Sequence, residues 1–216
     1  MIVAFGSGPP KLLEALRTYL DHPNTFIYPE FFDAKKYLIN KEWSRYAQEL
    51  MRNVAMGITI IAVFPDYCYD KCLAILKPIM DRVIWVYPMH YRRELEWILN
   101  RFDREAAEYY LGFPNRPELR DFDMDWFLDI AKKYGFRTWL MGLKPRFAKY
   151  VRYIDACDVT TLSIPSWAYR DNVKEYKGIP PEMFVAHFMK VLAEKRIVLH
   201  GRMLKNVFFV KPLVDR

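Results

Sequence analysis

The sequence predicts an α/β fold in which eight parallel strands and the helices between them form a (β/α)8 barrel of the TIM type. Four apolar, aromatic-rich runs end in an aromatic residue that is followed by Pro29, Pro65, Pro88 or Pro114. Proline lacks the N–H that the interior of a strand ladder requires, so each proline ends a strand. Segments with helical periodicity separate the runs, as in parallel βαβ units with right-handed crossovers. Eight strands close a barrel; an open, doubly wound sheet is the alternative.

Each predicted element has its own local signal. The leucines of residues 11–20 repeat with helical spacing, and residues 58–64 are almost continuously apolar, as expected for a strand covered on both faces. Gly135 supplies a helix stop, and Pro181 begins the last helix. The predicted strands are residues 2–5, 25–28, 58–64, 83–87, 109–113, 137–141, 158–164 and 196–199. The predicted helices are residues 11–20, 33–53, 70–80, 92–102, 124–134, a short one from 145, and 181–194. No linker divides the chain, so one domain is expected over residues 1–216.

Composition and charge restrict the class of protein. The 216 residues are 52% hydrophobic and 27% charged, which is typical of an ordered globular protein with a sizeable core. Charged residues interrupt every apolar run, so no membrane span is predicted. The first apolar run has no basic segment before it, so no signal peptide is expected. The formal net charge of +7 is spread along the chain and is compatible with a nucleic-acid partner.

The cysteines favour a reduced, cytoplasmic protein. There are three, Cys68, Cys72 and Cys157, and the last lies in or beside a predicted buried strand. Cys68 and Cys72 have i, i+4 spacing, but no second pair or histidine cluster accompanies them, so no zinc site and no cofactor are expected. Glutamine occurs once, at Gln48, and such depletion of labile amides is typical of thermophilic proteins.

Polar residues follow the predicted strands at their carboxyl ends. These ends meet at one rim of a barrel, which is where α/β enzymes bind their substrates. The sequence places the following residues at or near this rim: Ser7, Glu30, Asp66, His90, Asn115, Lys144, Ser163, His200 and Arg202. Structural roles remain open for three of them, because Asp66 suits a turn or helix cap, Glu30 a solvated loop and His90 a helix start.

Two further features near the rim have both functional and structural interpretations. Asp158 lies in a strand of apolar and small hydroxyl residues, where a carboxylate is costly to bury unless it is paired or used. It is therefore a candidate catalytic residue or an exposed residue at the strand start. The aromatic loop with Trp167, Tyr169 and Arg170 is suited either to stacking a nucleic-acid base or to packing over the end of the barrel.

One stretch of the chain resembles a known enzyme family. Residues 137–144 read Arg-Thr-Trp-Leu-Met-Gly-Leu-Lys, and residues 153–159 read Tyr-Ile-Asp-Ala-Cys-Asp-Val. Together they resemble the catalytic end of the queuine/archaeosine tRNA-guanine transglycosylases, with Arg-Tyr-Leu-Met-Gly-Val-Gly, a short helix, and Gly-Val-Asp-x-Phe-Asp-Cys. The family's nucleophilic aspartate aligns with Asp158, which implies the same role here. The strand from Asp158 to Ser163 is also similar to that of the related 7-deazaguanine DNA transglycosylases.

The resemblance implies further roles for residues of this chain. Asp66 ends a strand similar to the one whose aspartate recognises the purine-like base. His90 and Asn115 fall at the positions of base contacts, and Glu30 falls where a general acid/base is expected. Gly142, Lys144 and Ser163 belong to the matched segments, which implies substrate binding. Trp167, Tyr169, Arg170 and Arg202 would then contact nucleic acid.

The chain departs from that family in several motifs. Its Asp-Ser-Gly-Gly-Phe-Gln, Gln-Gly and Cys-x-Cys-x-x-Cys zinc motifs are absent, as is its C-terminal tRNA-binding insertion. The resemblance therefore implies a minimal, divergent relative without zinc, in which a partner subunit or homo-oligomer helps to capture the substrate.

The leading hypothesis from the sequence is base exchange at a guanine nucleotide of tRNA or DNA, through a covalent intermediate on Asp158. Glu30 would transfer the proton, and Asp66 would recognise the base. Two alternatives remain: a small-molecule nucleoside or nucleobase hydrolase on the same barrel, and a non-catalytic barrel that binds nucleic acid.

Overall fold

The computed structural model describes residues 2–8, 24–65, 69–143 and 145–159, together with residues 10, 13, 14 and 17. Eight strands lie within these ranges, and all seven ladders between them are parallel. In chain order the strands are β1 Ile2–Phe5, β2 Thr25–Ile27, β3 Phe31–Phe32, β4 Ile61–Val63, β5 Ile84–Pro88, β6 Glu108–Pro114, β7 Arg137–Met141 and β8 Ala156–Val159.

The sheet curls into a barrel. Its strand order is β2-β1-β8-β7-β6-β5-β4-β3, so β2 and β3 are the two ends. These two strands are consecutive in the chain, and only residues 28–30 separate them. β2 pairs with β1 through Phe26 and Ala4, whereas β3 pairs with β4 through Phe31 and Ile61. The predicted (β/α)8-like barrel is therefore confirmed, and the open doubly wound alternative is wrong.

The join between β2 and β3 differs from the prediction of one strand at this point. Pro29 has no N–H to donate, so it interrupts the ladder and the backbone changes partners there. Tyr28 N donates to Phe5 O of β1 at 2.9 Å, whereas Glu30 O accepts from Ile61 N of β4 at 3.0 Å. The aromatic–proline pair thus ends one strand and is followed within two residues by another, β3, that the sequence did not predict.

Six α-helices are described, and none of them combines the length and apolar character needed to cross a membrane. Asp123 caps the last of them by accepting from Trp126 N at 2.9 Å, and Gly135 ends it with φ +72°. The helices are α1 Lys35–Ile39, α2 Trp43–Ala55, α3 Tyr69–Leu76, α4 Glu94–Trp97, α5 Asp103–Glu105 and α6 Met124–Tyr134. A π-helical turn, Ile98–Phe102, joins α4 to α5, and 3₁₀ helices cover Lys77–Ile79, Pro117–Leu119 and Pro145–Tyr153.

Two predictions about these helices need correction. The single helix expected over residues 33–53 is two helices, α1 and α2, because the chain turns at Lys41, whose φ is +58°. Cys72 of α3 is disulfide-bonded, so the expectation of a fully reduced chain is not met. Intracellular proteins of some hyperthermophiles also contain disulfides, so this bond does not identify the compartment. The predicted strand at 196–199 and helix at 181–194 lie outside the described residues.

Side chains alternate between the barrel interior and the layer beneath the helices, as strand geometry requires. Inside the barrel, Trp139 of β7 stacks on Phe31 at 5.2 Å between ring centroids and meets the edge of Tyr110 at 5.5 Å. All three rings are at most 5% exposed. The interior is therefore a packed core and not a pore, and any open site lies at an end of the barrel.

Candidate active site

Asp158 lies inside the barrel near the carboxyl ends of the strands. In β8, Ala156 packs with the interior cluster and Cys157 with the outer cluster, so alternation turns Asp158 inward. The Asp158 side chain is 3% exposed, and its Oδ1 accepts a hydrogen bond from Trp139 Nε1 at 2.9 Å. The stacking of Phe31 on Trp139 holds this donor in place. The exposed strand-start interpretation of Asp158 is therefore wrong.

The neighbouring thiol of Cys157 points away from the barrel interior. It is free and buried, and its pKa is raised, first by burial and second by the negative charge of Asp158. A thiol held protonated in this way is a poor nucleophile. Of these two adjacent residues, Asp158 is thus the better candidate for covalent chemistry.

The rim beside Asp158 is built from the ends of β6, β7 and β8. Asn115 Nδ2 donates to Gly142 O at 2.8 Å, and Leu143 N donates to Asp158 O at 2.8 Å. Gly142 has φ +74°, a conformation that side chains other than glycine rarely adopt. The structure therefore brings three predicted site residues, Asn115, Gly142 and Asp158, into one connected segment of the rim.

A second buried carboxylate, Asp33, lies at the end of β3 and is not among the predicted site residues. Asp33 is 2% exposed, and a Cβ on Gly6 would lie 3.1 Å from its Oδ2. Ser7 Oγ also donates to Asp33 O at 2.9 Å. β1 pairs with β8 at Ala4 and Asp158, so Asp33 and Asp158 flank the end of β1 on opposite sides. Both carboxylates are buried, at 2% and 3% exposure.

Glu30, the predicted proton-transfer residue, is placed differently. It lies in the join between β2 and β3, and its residue is exposed. Its Oε2 accepts a hydrogen bond from Ile27 N at 3.1 Å, so the carboxylate is bound to the backbone of the turn that contains Glu30. Asp33 differs from Glu30 because side chains alternate between the inner and outer faces along β3, which begins after Pro29. The sequence does not show this alternation, because β3 has only two residues.

His90 lies in the loop after β5 and fixes the position of the loop after β6. Its Nδ1 donates to Leu119 O at 2.7 Å, and its carbonyl accepts from Asp121 N at 3.1 Å. Its own N–H donates to Glu94 Oε2 at 2.8 Å. His90 therefore lies at the rim, where its hydrogen bonds connect the loop after β5 to the loop after β6.

Glu94 is a third buried carboxylate at this end of the barrel, 4% exposed. Tyr69 Oη donates to its Oε1 at 2.7 Å, so the carboxylate joins the start of α3 to the loop after β5. Burial raises the pKa of Glu94, and hydrogen bonds from Tyr69 and from His90 N lower it in part. Glu94 thus joins Tyr69, which follows β4, to His90, which follows β5. Asp66 also follows β4 in the sequence.

The raised pKa of Glu94 predicts a pH-dependent effect of Glu94→Gln on stability. A carboxyl group with a higher pKa in the folded state stabilises the fold below its unfolded pKa, and that stabilisation is lost as the pH rises through the folded value. Gln does not titrate, so the free energy of unfolding of Glu94→Gln should improve relative to that of the original protein as the pH rises above 4.5, the ordinary pKa of a glutamate. The slope cannot exceed about 1.4 kcal/mol per pH unit. Urea denaturation of both proteins at several pH values measures this slope. A difference in unfolding free energy that does not change with pH would contradict the prediction.

Several predicted site residues lie outside the described parts of the chain. They are Asp66, Lys144, Ser163, Trp167, Tyr169, Arg170 and Arg202, and His200 lies there as well. Within the described ranges, no group of three or more His, Cys, Asp or Glu side chains is arranged to hold a metal ion. An open groove of about 540 Å³ lies on the outer side of the barrel, between α6 and the start of β8. It does not involve the rim, since Thr138 and Asp155, which line it, precede or begin their strands.

The fold and the site define this protein as an α/β barrel of the TIM type with buried carboxylates at the carboxyl ends of its strands. The chain is similar to the uncharacterized protein ORF192 of Acidianus two-tailed virus, with 29% identity over 144 residues. The aligned region covers 66% of this chain and 68% of the viral protein. No protein-family model and no solved structure matches the chain.

Proposed function

We propose that the protein exchanges the base of a guanine nucleotide in tRNA or DNA for a 7-deazaguanine-type base, with Asp158 as the nucleophile. The observation that carries this proposal is the inward-facing Asp158 carboxylate, 3% exposed and bonded to Trp139 Nε1. Active sites of TIM-type barrels lie at the carboxyl ends of the strands. The resemblance of residues 137–144 and 153–159 to the transglycosylases supports the choice of reaction.

The reaction proceeds in two displacements at C1′ of the nucleotide. In the first, an oxygen of Asp158 bonds to C1′ while the C1′–N9 bond breaks, and an acid gives a proton to the departing guanine. In the second, the ring nitrogen of the incoming base bonds to C1′, the bond to Asp158 breaks, and the same group takes up the proton. Asp66, His90 and Asn115 follow neighbouring strands and would contact the base. Lys144 and the 163–170 segment would contact the polynucleotide.

The direct test is base exchange by the full-length protein. Radiolabelled guanine or 7-deazaguanine bases are incubated with tRNA, with duplex DNA and with free guanosine, and incorporation into polymer is measured. Incorporation into tRNA or DNA supports the proposal. Release of free base from guanosine without incorporation would identify a small-molecule hydrolase instead, and salt-dependent nucleic-acid binding without exchange would identify a non-catalytic binding protein.

The position of the second carboxylate leads to a separate prediction. Asp33 is buried at the rim, whereas the Glu30 carboxylate is occupied within its own turn. We therefore expect Asp33→Asn to slow base exchange by about 10²- to 10⁴-fold, as loss of a general acid/base does. Glu30→Gln should leave the rate nearly unchanged. Single-turnover rates of the two variants measure the difference. A slow Glu30→Gln variant and a nearly normal Asp33→Asn variant would instead assign proton transfer to Glu30.

A further inference from the structure

The corner between α1 and α2 presents an apolar side chain to solvent. Ile39, the last residue of α1, is 76% exposed, more than any other large apolar side chain in the described ranges. Single exposed apolar residues are common, so exposure alone has no functional meaning. Three features of its surroundings set Ile39 apart: the rigidity of the corner, its place on the barrel and its charge.

The corner is held rigidly by hydrogen bonds and packing. Tyr37 Oη donates to Glu49 Oε2 at 2.5 Å, and Glu42 N donates to Tyr37 O at 2.8 Å. Lys41 N donates to Leu38 O at 3.2 Å, and Leu38 packs against the outer core. Ile39 is thus the apex of a fixed turn whose other apolar residues face the protein.

The corner lies on the same rim of the barrel as Asp158. The chain leaves the carboxyl end of β3 at Asp33, and α1 begins two residues later. Asp33 lies next to Gly6, which follows the end of β1, and β1 pairs with β8 at Asp158. The corner and Asp158 therefore lie at the same end of the barrel.

The corner is also basic. Residues 35–45 contain four Lys or Arg residues and one acidic residue, Glu42. Lys36 and Lys41, on either side of Ile39, are exposed, and Lys36 Nζ lies 4.5 Å from the centre of the Tyr37 ring. The acidic Glu42 is already engaged with Arg45 at 3.2 Å. An apolar apex with an exposed lysine on either side complements stacked bases between two phosphodiester strands.

We propose that this corner binds a base-paired nucleic acid, with Lys36 and Lys41 on the phosphates and Ile39 inserted between stacked bases. Chemistry at C1′ requires a nucleotide to leave the stack, and apolar wedges promote such unstacking in other nucleic-acid-binding proteins. This inference rests on the proposed function, since it names the step that would deliver the nucleotide to Asp158.

The size of the apolar surface favours nucleic acid over a membrane or a protein partner. Burial of one isoleucine removes too little apolar surface from water to hold a protein at a lipid surface. Stable protein interfaces bury much larger areas around several apolar residues. A single wedge, by contrast, is sufficient to separate one base step.

The test measures binding and unstacking without base exchange. The probes are a DNA duplex and an RNA stem-loop, each with 2-aminopurine beside a guanine, because the fluorescence of this base rises when it unstacks. The full-length protein should bind one of them and raise its fluorescence. Ile39→Ala should lose the rise, whereas Lys36→Ala and Lys41→Ala should each lower the slope of log K against log salt by about one.

Matched controls lie at the opposite end of the barrel. Met56 follows the other end of α2 and is 57% exposed, and Lys132 and Lys133 are exposed on α6. Met56→Ala and the Lys132→Ala/Lys133→Ala double variant should leave binding and fluorescence unchanged. Unstacking is measured without base exchange, so an original protein that unstacks the probe but exchanges no base would refute the proposed function and not the wedge.

Four results would overturn the inference. They are no binding to either probe, a full fluorescence rise with Ile39→Ala, equal losses in the control variants, and binding to phosphatidylserine vesicles in place of nucleic acid.

Discussion

Asp158→Asn is expected to abolish base exchange, with a loss on the order of 10³-fold or more, while the protein stays folded. The amide retains an oxygen that can accept the hydrogen bond from Trp139 Nε1, so the packing of the barrel interior should be preserved. It cannot form the covalent bond to C1′, because a neutral amide is a far weaker nucleophile than a carboxylate. Single-turnover exchange and the unfolding midpoint of the same preparation measure the two effects.

Asp155→Asn is the matched control for this experiment. Asp155 lies three residues earlier and uses one oxygen, Oδ2, to accept from Thr138 N at 2.7 Å and Thr138 Oγ1 at 2.8 Å. The carbonyl oxygen of Asn can occupy the same place, and this position is at the amino end of β8, away from the rim. Normal exchange by Asp155→Asn is therefore expected. Normal exchange by Asp158→Asn would exclude Asp158 as the nucleophile.

Gly142→Ala is expected to destabilise the protein by about 2–3 kcal/mol. A residue other than glycine at φ +74° costs about 1–2 kcal/mol, since its Cβ crowds the backbone. The new Cβ would also clash with Asn115 Nδ2, so Asn115 must rotate away and lose its bond to Gly142 O, at a further cost of about 1 kcal/mol. Denaturant unfolding measures the sum, and base exchange should also fall because this part of the rim is displaced.

Gly135→Ala separates the two contributions. Gly135 has nearly the same φ, +72°, but nothing lies within 4 Å of a Cβ placed there. It should therefore show only the backbone cost of about 1–2 kcal/mol and leave exchange unchanged. In the Asn115→Ala background, Gly142→Ala should approach the cost of Gly135→Ala. Equal costs for Gly142→Ala and Gly135→Ala in the original background would show that the contact with Asn115 contributes nothing.

Much of the barrel could be predicted because its signals are local. Prolines after apolar runs locate strand ends within a residue or two, as at Pro88 and Pro114, and Gly135 locates the end of α6. The two-residue strand β3 was not predictable, since so short a segment has no periodicity. The turn at Lys41 was missed for a different reason: the apolar spacing of residues 33–53 continues across it, and only the φ of Lys41 reveals the break.

The residues of the candidate site also differ in how far the sequence alone predicts them. Asp158 is recognisable in the sequence because it is a carboxylate within an apolar strand. In the structure its side chain faces the barrel interior and the residue is 3% exposed. Asp33 and Glu94 were missed, because neither residue type nor spacing distinguishes a buried acid at a helix start from a solvated one.

Most strand ends, most of the helices and the unusual carboxylate at Asp158 can be predicted from the sequence, because proline chemistry and side-chain periodicity act over a few residues. Which acids are buried at the rim follows instead from the closure of the barrel. Closure of the barrel places β1 between β8 and the β2–β3 segment, and this brings Asp33 and Asp158, which are 125 residues apart in the chain, to either side of one strand end. Burial depends on neighbours that are distant in sequence, and a single sequence does not reveal those neighbours.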